Sequence, residues 1–217
     1  MISSLFSNPL LFIIYIISLL IAITIHEFSH AYFADKLGDP TPRLMGRISL
    51  NPLVHLDPLG TLMLLLVGFG WGKPVQFDPF NLRNPKKDSA LISLAGPVSN
   101  LLLATILSLI FRLLLPFSQI SLISLALLLL PPLIQLNVLL AVFNLIPIHP
   151  LDGFKVVGGL LPHKYYASWI ELERYGMLFL IILLFPIFGS SPISSILLPI
   201  VNFILSFLLP IGRGGVI

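Results

Sequence analysis

Two histidines four residues apart enclose a glutamate in His26-Glu27-Phe28-Ser29-His30. On a helix this spacing places both imidazoles on one face, so that they can bind the same metal ion. Glu27, next to the first histidine, is placed to take a proton from a water molecule that the metal activates. The alternative interpretation is a polar network that only holds helices together. The motif lies in an apolar stretch, where ionisable side chains are costly and usually functional, and this favours chemistry.

A hydrolytic zinc site needs a third protein ligand and one open position. Four residues of suitable type remain once the polar loops and interfacial glutamates are set aside: Asp152, Asp57, His55 and His149. Asp152 is the best placed, because it follows an apolar segment that ends on the same side of the membrane as the histidine pair. By local sequence alone, Asp152-Gly153 is equally typical of an ordinary turn.

The composition indicates a membrane protein. Of 217 residues, 57% are hydrophobic and 10% are charged, whereas soluble domains carry about 25% charged residues. A soluble metalloprotease is therefore excluded. The chain has no cysteine, which excludes disulfides, cysteine nucleophiles and thiolate metal ligands.

The apolar segments predict an all-α polytopic membrane protein. A helix needs about 20 mainly apolar residues to cross a bilayer, and the first segment is interpreted as a retained transmembrane helix and not a cleaved signal. We expect one membrane-embedded domain over 1–217, with a catalytic core at about 10–160 and C-terminal transmembrane helices at about 170–209. Five full spans are predicted, at about 10–33, 90–115, 120–145, 170–186 and 193–209.

The run 61–71 is about half the length of a span, and Gly68, Gly70 and Gly72 interrupt it. We predict a re-entrant or interfacial hairpin here, which a hydropathy scale can count as a sixth span. The residues that follow, 73–77, are expected to form a short strand. Irregular backbone at membrane depth is tolerated where protein buries it or where it lines a wet cavity.

The positive charges predict the orientation. With the N-terminus outside, eleven of the twelve lysines and arginines fall on one side of the membrane and only Arg112 lies towards the other. Cytoplasmic loops carry the excess of Lys and Arg. We therefore expect a multi-pass protein of the cell membrane whose C-terminus and active-site opening face the cytoplasm.

A second motif makes a family resemblance specific. Asn144, Pro147, Leu151, Asp152 and Gly153 match the pattern N-x-x-P-x-x-x-L-D-G. Together with the earlier His-Glu-x-x-His, this order resembles the site-2 proteases, which are intramembrane zinc metalloproteases. The segment 51–60, and Gly96-Pro97 followed by Asn100, are similar to members of this family as well.

The resemblance implies a role for each matching position. His26, His30 and Asp152 would bind one zinc ion per chain, Glu27 would be the general base, and Asn144 would hold the substrate or stabilise the oxyanion. The implied reaction is hydrolysis of peptide bonds in or near transmembrane segments of membrane-protein substrates. The rival functions are a metal-ion transporter and an inactive relative that only binds membrane segments.

Several other polar residues admit more than one interpretation. His55 and Asp57 either reach the active-site cleft or stabilise the turn before Pro58, and a structural or gating role is favoured over metal binding. His149 and His163 are expected at the membrane interface. The remaining candidates are expected to serve helix contacts, through close approach or a buried amide: Gly96, Pro97, Asn100 and Asn137.

Overall fold

The computed structural model describes residues 8–67, 70–184 and 191–210. These residues form helices and connecting loops and contain no β-strand. The nine α-helices in the described part of the chain are α1 Pro9–Lys36, α2 Thr41–Leu44, α3 Pro58–Val67, α4 Pro85–Leu114, α5 Ser121–Asn144, α6 Asp152–Leu160, α7 His163–Glu171, α8 Gly176–Leu184 and α9 Pro192–Leu208.

Among these residues, three helices are long and apolar enough to cross a membrane: α1, α4 with its short extension to Phe117, and α5. They coincide with the first three predicted spans. Pro97 in α4, and Pro131 and Pro132 in α5, lie inside helices that continue through them. The predicted all-helical membrane protein therefore agrees with the structure.

Within the described residues, the two C-terminal helices are shorter than the predicted spans. At about 1.5 Å per residue, the 9 residues of α8 and the 17 of α9 extend about 14 and 26 Å, against about 30 Å of hydrocarbon. Residues 185–190 lie outside the described part of the chain, so the count of five spans stays a prediction.

The apolar helix α8 begins six residues after the predicted start of the fourth span, which is about residue 170. Ile170 belongs to α7, and a 3₁₀ turn over Leu172–Tyr175 separates that helix from α8. The turn contains Glu173 and Arg174, both exposed. Charged groups of this kind require water, which explains why the apolar helix begins only at Gly176.

The long helices form one bundle, in which α4 and α5 pack on each other and both contact α1. Helix α9 packs on α5 and also contacts α4. Their apolar side chains form the main core, which consists of Ala104, Leu130, Ile134, Val138, Val142, Ile193, Leu197 and Val201.

The residues before and after the predicted hairpin segment lie next to each other. Leu56, before α3, forms an isolated antiparallel bridge with Gly72, after it. A methyl group on Gly60 would lie 2.2 Å from the Trp71 carbonyl oxygen, so the two ends of the segment are in contact. Asp57 caps α3, because its Oδ1 accepts a hydrogen bond from the Gly60 amide at 2.7 Å. Gly68 is outside the described residues.

The strand expected at 73–77 is wrong, since these residues have no regular secondary structure. The reason is local. Pro74 has no amide hydrogen to give to a neighbouring strand, and the Val75 amide donates instead to the Glu27 carboxylate at 3.0 Å.

A buried carboxylate joins the loops on either side of this segment. Asp39, fully buried, accepts hydrogen bonds from the amide and hydroxyl of Thr41, the amide of Asp78 and the side chain of Asn81. Burial raises the pKa of Asp39, but these four donors outweigh it and hold that pKa below its ordinary value. The charged carboxylate therefore holds the first loop after α1, near Thr41, against the loop before α4, at Asp78 and Asn81.

We expect Asp39→Asn to destabilise the protein by about 2 kcal/mol at neutral pH, because charged hydrogen bonds are lost. The folded-state pKa is lowered, so this contribution is complete above the unfolded value near 3.8 and is lost as the pH falls through the folded-state pKa. Thermal unfolding in detergent from pH 7 to pH 3 should show a constant difference from wild type that shrinks only below about pH 4. Glu171→Gln, at an exposed position on α7, is the control. A difference that grows on acidification would contradict this account.

Candidate metal centre

Three side chains from distant parts of the chain meet between the long helices. His26 and His30 lie one turn apart on α1 and are 4% and 7% exposed. The Asp152 Oδ2 atom lies 3.0 Å from His26 Nε2 and 3.2 Å from His30 Nε2. One potential ligand atom from each residue lies within 4.8 Å of the other two. The predicted juxtaposition of the two motifs is therefore observed.

The connection between α5 and α6, residues 145–151, brings Asp152 to the histidines. Helix α5 ends at Asn144, and α6 begins at Asp152. A methyl group on Gly153 would lie 2.2 Å from the Leu145 carbonyl oxygen and 2.5 Å from that of Ile146. The start of α6 thus packs directly on the end of α5, and a residue with a side chain at 153 would push Asp152 away.

Each imidazole is held by its other nitrogen. His26 Nδ1 lies 2.7 Å from the Asn100 side-chain oxygen, and His30 Nδ1 lies 2.7 Å from the Ile92 carbonyl oxygen. Both partners belong to α4. Because oxygen acceptors face both Nδ1 atoms, each Nδ1 carries a hydrogen, and Nε2, which faces Asp152, is the nitrogen left for a metal.

The donor set fits zinc. Two imidazole nitrogens and one carboxylate oxygen are the three protein ligands of many hydrolytic zinc sites. Tetrahedral coordination at about 2.0–2.1 Å requires ligand atoms about 3.3 Å apart, close to the two Nε2–Oδ2 separations of 3.0 and 3.2 Å. Zinc-binding histidines usually donate the hydrogen of their other ring nitrogen to an oxygen acceptor, as both Nδ1 atoms do here.

Gly96 on α4 makes room for the imidazoles. A methyl group at this position would lie 2.4 Å from His30 Nε2 and 2.7 Å from His26 Cε1. Gly96 and Asn100 are four residues apart and so share one face of α4. That face supplies both the space for the rings and the acceptor for His26.

Glu27 lies beside the cluster and faces the loop region. Its Oε2 accepts the hydrogen bond from the Val75 amide. Arg47, 3% exposed, donates to the carbonyl oxygens of Val54 and Lys73 and so holds two loop segments together. Burial lowers the pKa of Arg47, and the negative charge of Glu27 opposes that shift.

Asn144, the predicted contact to the substrate or the oxyanion, has its described hydrogen bond within its own helix. It is the last residue of α5, and its side-chain nitrogen donates to the Leu140 carbonyl oxygen of the same helix at 2.9 Å. Its role in holding the substrate or the oxyanion stays a prediction.

The other histidines lie elsewhere. His55 is fully buried, and its Nε2 donates to the Ser49 carbonyl oxygen at 2.7 Å. His149 pairs with Glu173, with Nδ1 and Oε1 3.4 Å apart. His163 is exposed at the start of α7. The contact of His55 agrees with a structural role, and the interfacial placement of His149 and His163 stays a prediction.

Sequence reasoning missed two contacts of the site. Asn100 and Asn137 were expected to make ordinary helix contacts, but they connect to His26 through side-chain hydrogen bonds. In the sequence, the spacing of Gly96 and Asn100 on one helix face could have indicated the contact with His26. Nothing in the sequence indicates the contact between Val75 and Glu27, because it depends on how the loop folds back.

Known relatives carry names that agree with this donor set. The chain is 38% identical over 178 residues to "Putative zinc metalloprotease YwhC" of Bacillus subtilis, covering 81% of each protein. The chain belongs to the site-2 protease family. It is also 31% identical over 178 residues to "Putative zinc metalloprotease Rip2" of Mycobacterium tuberculosis, covering 79% of this chain and 66% of that one.

A further relative is less similar to this chain. "Zinc metalloprotease MJ0392" of Methanocaldococcus jannaschii is 25% identical over 162 residues, which cover 75% of this chain and 38% of that protein. No protein-family model and no solved structure matches the chain. Membership of the site-2 protease family therefore rests on these relatives.

Gly96→Ala is expected to weaken zinc binding at least about 10-fold, since the added methyl would overlap both imidazoles and displace them. The measurement is zinc affinity of purified protein by competition with a chromophoric chelator. Gly158→Ala is the matched control, because there the methyl would meet the Trp169 ring at 3.2 Å instead of a site residue. Equal zinc affinity in the wild type and the Gly96 variant would show that the rings lie elsewhere.

Proposed function

We propose that this protein is an intramembrane zinc endopeptidase that hydrolyses peptide bonds within or near transmembrane segments of membrane proteins. The observation that supports this most strongly is the convergence of His26, His30 and Asp152 between three membrane-length helices, with Glu27 adjacent. The zinc metalloprotease names of the relatives support the reaction class.

His26, His30 and Asp152 are the proposed ligands of one zinc ion per chain. Zinc in such a site supplies Lewis-acid chemistry, since it lowers the pKa of water and polarises a carbonyl oxygen. The three side chains leave one tetrahedral position open for this chemistry. The side chains of these three residues are largely buried, so their ligand atoms are shielded from bulk solvent.

Glu27 is the proposed general base. Its carboxylate oxygen accepts a proton from the attacking water and later delivers that proton to the nitrogen of the leaving amine. The Val75 amide holds Oε2 at 3.0 Å, which orients the carboxylate while the other oxygen stays available. Glu27 follows His26 directly in the chain, so the proposed base and the two histidine ligands belong to the same helix, α1.

The substrate must lose helical hydrogen bonds before it is cleaved, because a helix in lipid satisfies its backbone internally. The segment 73–77 lies beside Glu27 without regular secondary structure. We propose that an unwound substrate binds in an extended conformation beside this segment. Asn144, at the end of α5, is the proposed contact to the substrate or the oxyanion, for which a neutral amide donor is suited.

Two variants separate ligand from base. Asp152→Ala should lose both zinc and activity, because one of three ligands is removed. Glu27→Gln should keep zinc and membrane insertion but lose nearly all cleavage, since glutamine has a similar shape and cannot accept the proton. General acid–base catalysis contributes about 10² to 10⁴ in rate. The assays are elemental analysis and cleavage of a library of single-span proteins after co-expression.

Glu171→Gln on α7 controls for loss of a carboxylate away from the site. Wild-type cleavage by Glu27→Gln would refute the proposed mechanism. A metal-ion transporter makes the opposite forecast: His26→Ala would abolish flux, while Glu27→Gln would only modify it. Full zinc content in Asp152→Ala would transfer the third-ligand role to another residue.

The proposed location is the cell membrane, with the N-terminus outside and the C-terminus in the cytoplasm. Reporter fusions after Asp57, Lys87 and Lys164 should all score cytoplasmic, because the loops with most of the positive charge face that side. A fusion after Phe117, which ends the extension of α4, should score external. An external score at Lys87 alone would mean that the segment containing α3 crosses the membrane.

A further inference from the structure

A chain of side-chain hydrogen bonds runs from α5 through α4 to the metal centre on α1. Asn137 and Asn100 are both fully buried. The Asn100 side-chain nitrogen lies 2.7 Å from the Asn137 oxygen, and the Asn100 oxygen lies 2.7 Å from His26 Nδ1. The three residues belong to three different membrane-length helices.

Two backbone carbonyls fix the direction of this chain. The Asn137 side-chain nitrogen donates to the Leu133 carbonyl oxygen at 2.8 Å. The Asn100 side-chain nitrogen donates to the Ala22 carbonyl oxygen at 3.0 Å. A carbonyl oxygen only accepts, so the atom facing it must be the amide nitrogen in both cases. The Asn137 oxygen then faces Asn100, and the Asn100 oxygen then faces His26.

His26 consequently has one permitted arrangement in this site. With an oxygen acceptor at 2.7 Å, its Nδ1 atom must carry the hydrogen. Nε2, the nitrogen that points towards Asp152, is then the atom left to bind a metal. His30 reaches the same arrangement without help from a side chain, because its Nδ1 donates to the backbone oxygen of Ile92.

We propose that Asn100 and Asn137 are positioning residues for zinc binding. Asn100 orients His26 and presents its Nε2 lone pair to the metal, and Asn137 acts through Asn100 by holding that amide in the required direction. This inference rests on the proposed zinc ligands. Neither asparagine contacts Asp152 or Glu27 in the described hydrogen-bond network. Substituting either asparagine should therefore lower the affinity for zinc directly, and should change the chemical step only through the loss of zinc.

Two substitutions of Asn100 distinguish positioning from simple helix packing. Asn100→Leu removes the acceptor for His26 and should weaken zinc binding about 10- to 100-fold, the usual cost of losing an outer partner of a zinc-binding histidine. Asn100→Asp keeps an oxygen acceptor, as in carboxylate–histidine–zinc triads, and should bind zinc with nearly wild-type affinity.

The aspartate would nevertheless face two other oxygens, those of Ala22 and Asn137, and should lower the unfolding temperature of the metal-free protein. A residue that only holds helices together predicts the reverse: Asn100→Asp would be as harmful to zinc binding as Asn100→Leu. Zinc affinity, by competition with a chromophoric chelator, and thermal unfolding are therefore measured on the same samples.

A double-mutant cycle tests whether Asn137 acts through Asn100. Asn137→Leu should weaken zinc binding less than Asn100→Leu. The double variant should match Asn100→Leu within about twofold, because the second loss has nothing left to act on. The control is Ser108→Ala on α4, whose hydroxyl is buried and donates to the Leu208 carbonyl oxygen. It should lower stability and leave zinc affinity unchanged.

A measurement on the wild-type protein covers the case in which variants fail to fold. In zinc-loaded protein with ¹³C- and ¹⁵N-labelled histidine, the ring signals should show His26 coordinated through Nε2 with a hydrogen on Nδ1. Coordination through Nδ1, wild-type affinity in Asn100→Leu, or additive losses in the double variant would each overturn the inference. A wild-type protein that binds no zinc would overturn the proposed metal centre as well.

Discussion

The site depends on one constraint: an imidazole buried in a membrane-length helix must have a hydrogen-bond partner for the nitrogen that does not face the metal. An unpaired buried polar group costs about 1–3 kcal/mol, and lipid offers no water as a substitute. Helix α4 meets this requirement twice, through the Asn100 side chain and the Ile92 carbonyl oxygen. It contributes no ligand, yet it determines which nitrogens remain for the metal. The close approach that these bonds need also explains why position 96 has no side chain.

The same rule organises the loops between α1 and α4. Asp39 and Arg47 are buried charges, and each is hydrogen-bonded to backbone or side-chain groups of separate loop segments. Such networks are expensive when incomplete and rigid when complete. The irregular segment after α3 is therefore held in place without a strand partner, and its Val75 amide reaches Glu27. The proposed base is positioned by a loop whose own order depends on buried charge.

Much of this arrangement could be predicted from the sequence, for identifiable reasons. Apolar length gave the three long helices, and the i, i+4 spacing placed His26 and His30 on one face. The motif around Asp152 supplied a partner that topology placed at the same end of the bundle. The strand at 73–77 was wrong because Pro74 has no amide hydrogen and Val75 donates to a side chain. The amide chain to His26 was missed, since hydrophobic pattern and spacing carry no information on which buried amide faces which ring.

The two histidines proposed as ligands and the proposed base thus depend on different parts of the molecule, although they are neighbours in sequence. Substituting the face of α4 that carries Gly96 and Asn100 acts on the imidazoles, which these residues contact directly. Disturbing the loop acts on Glu27 through Val75, without a hydrogen bond to either ligand histidine among the described residues. An extended substrate that binds beside 73–77 would therefore act on the base, while α4 keeps the imidazoles in place.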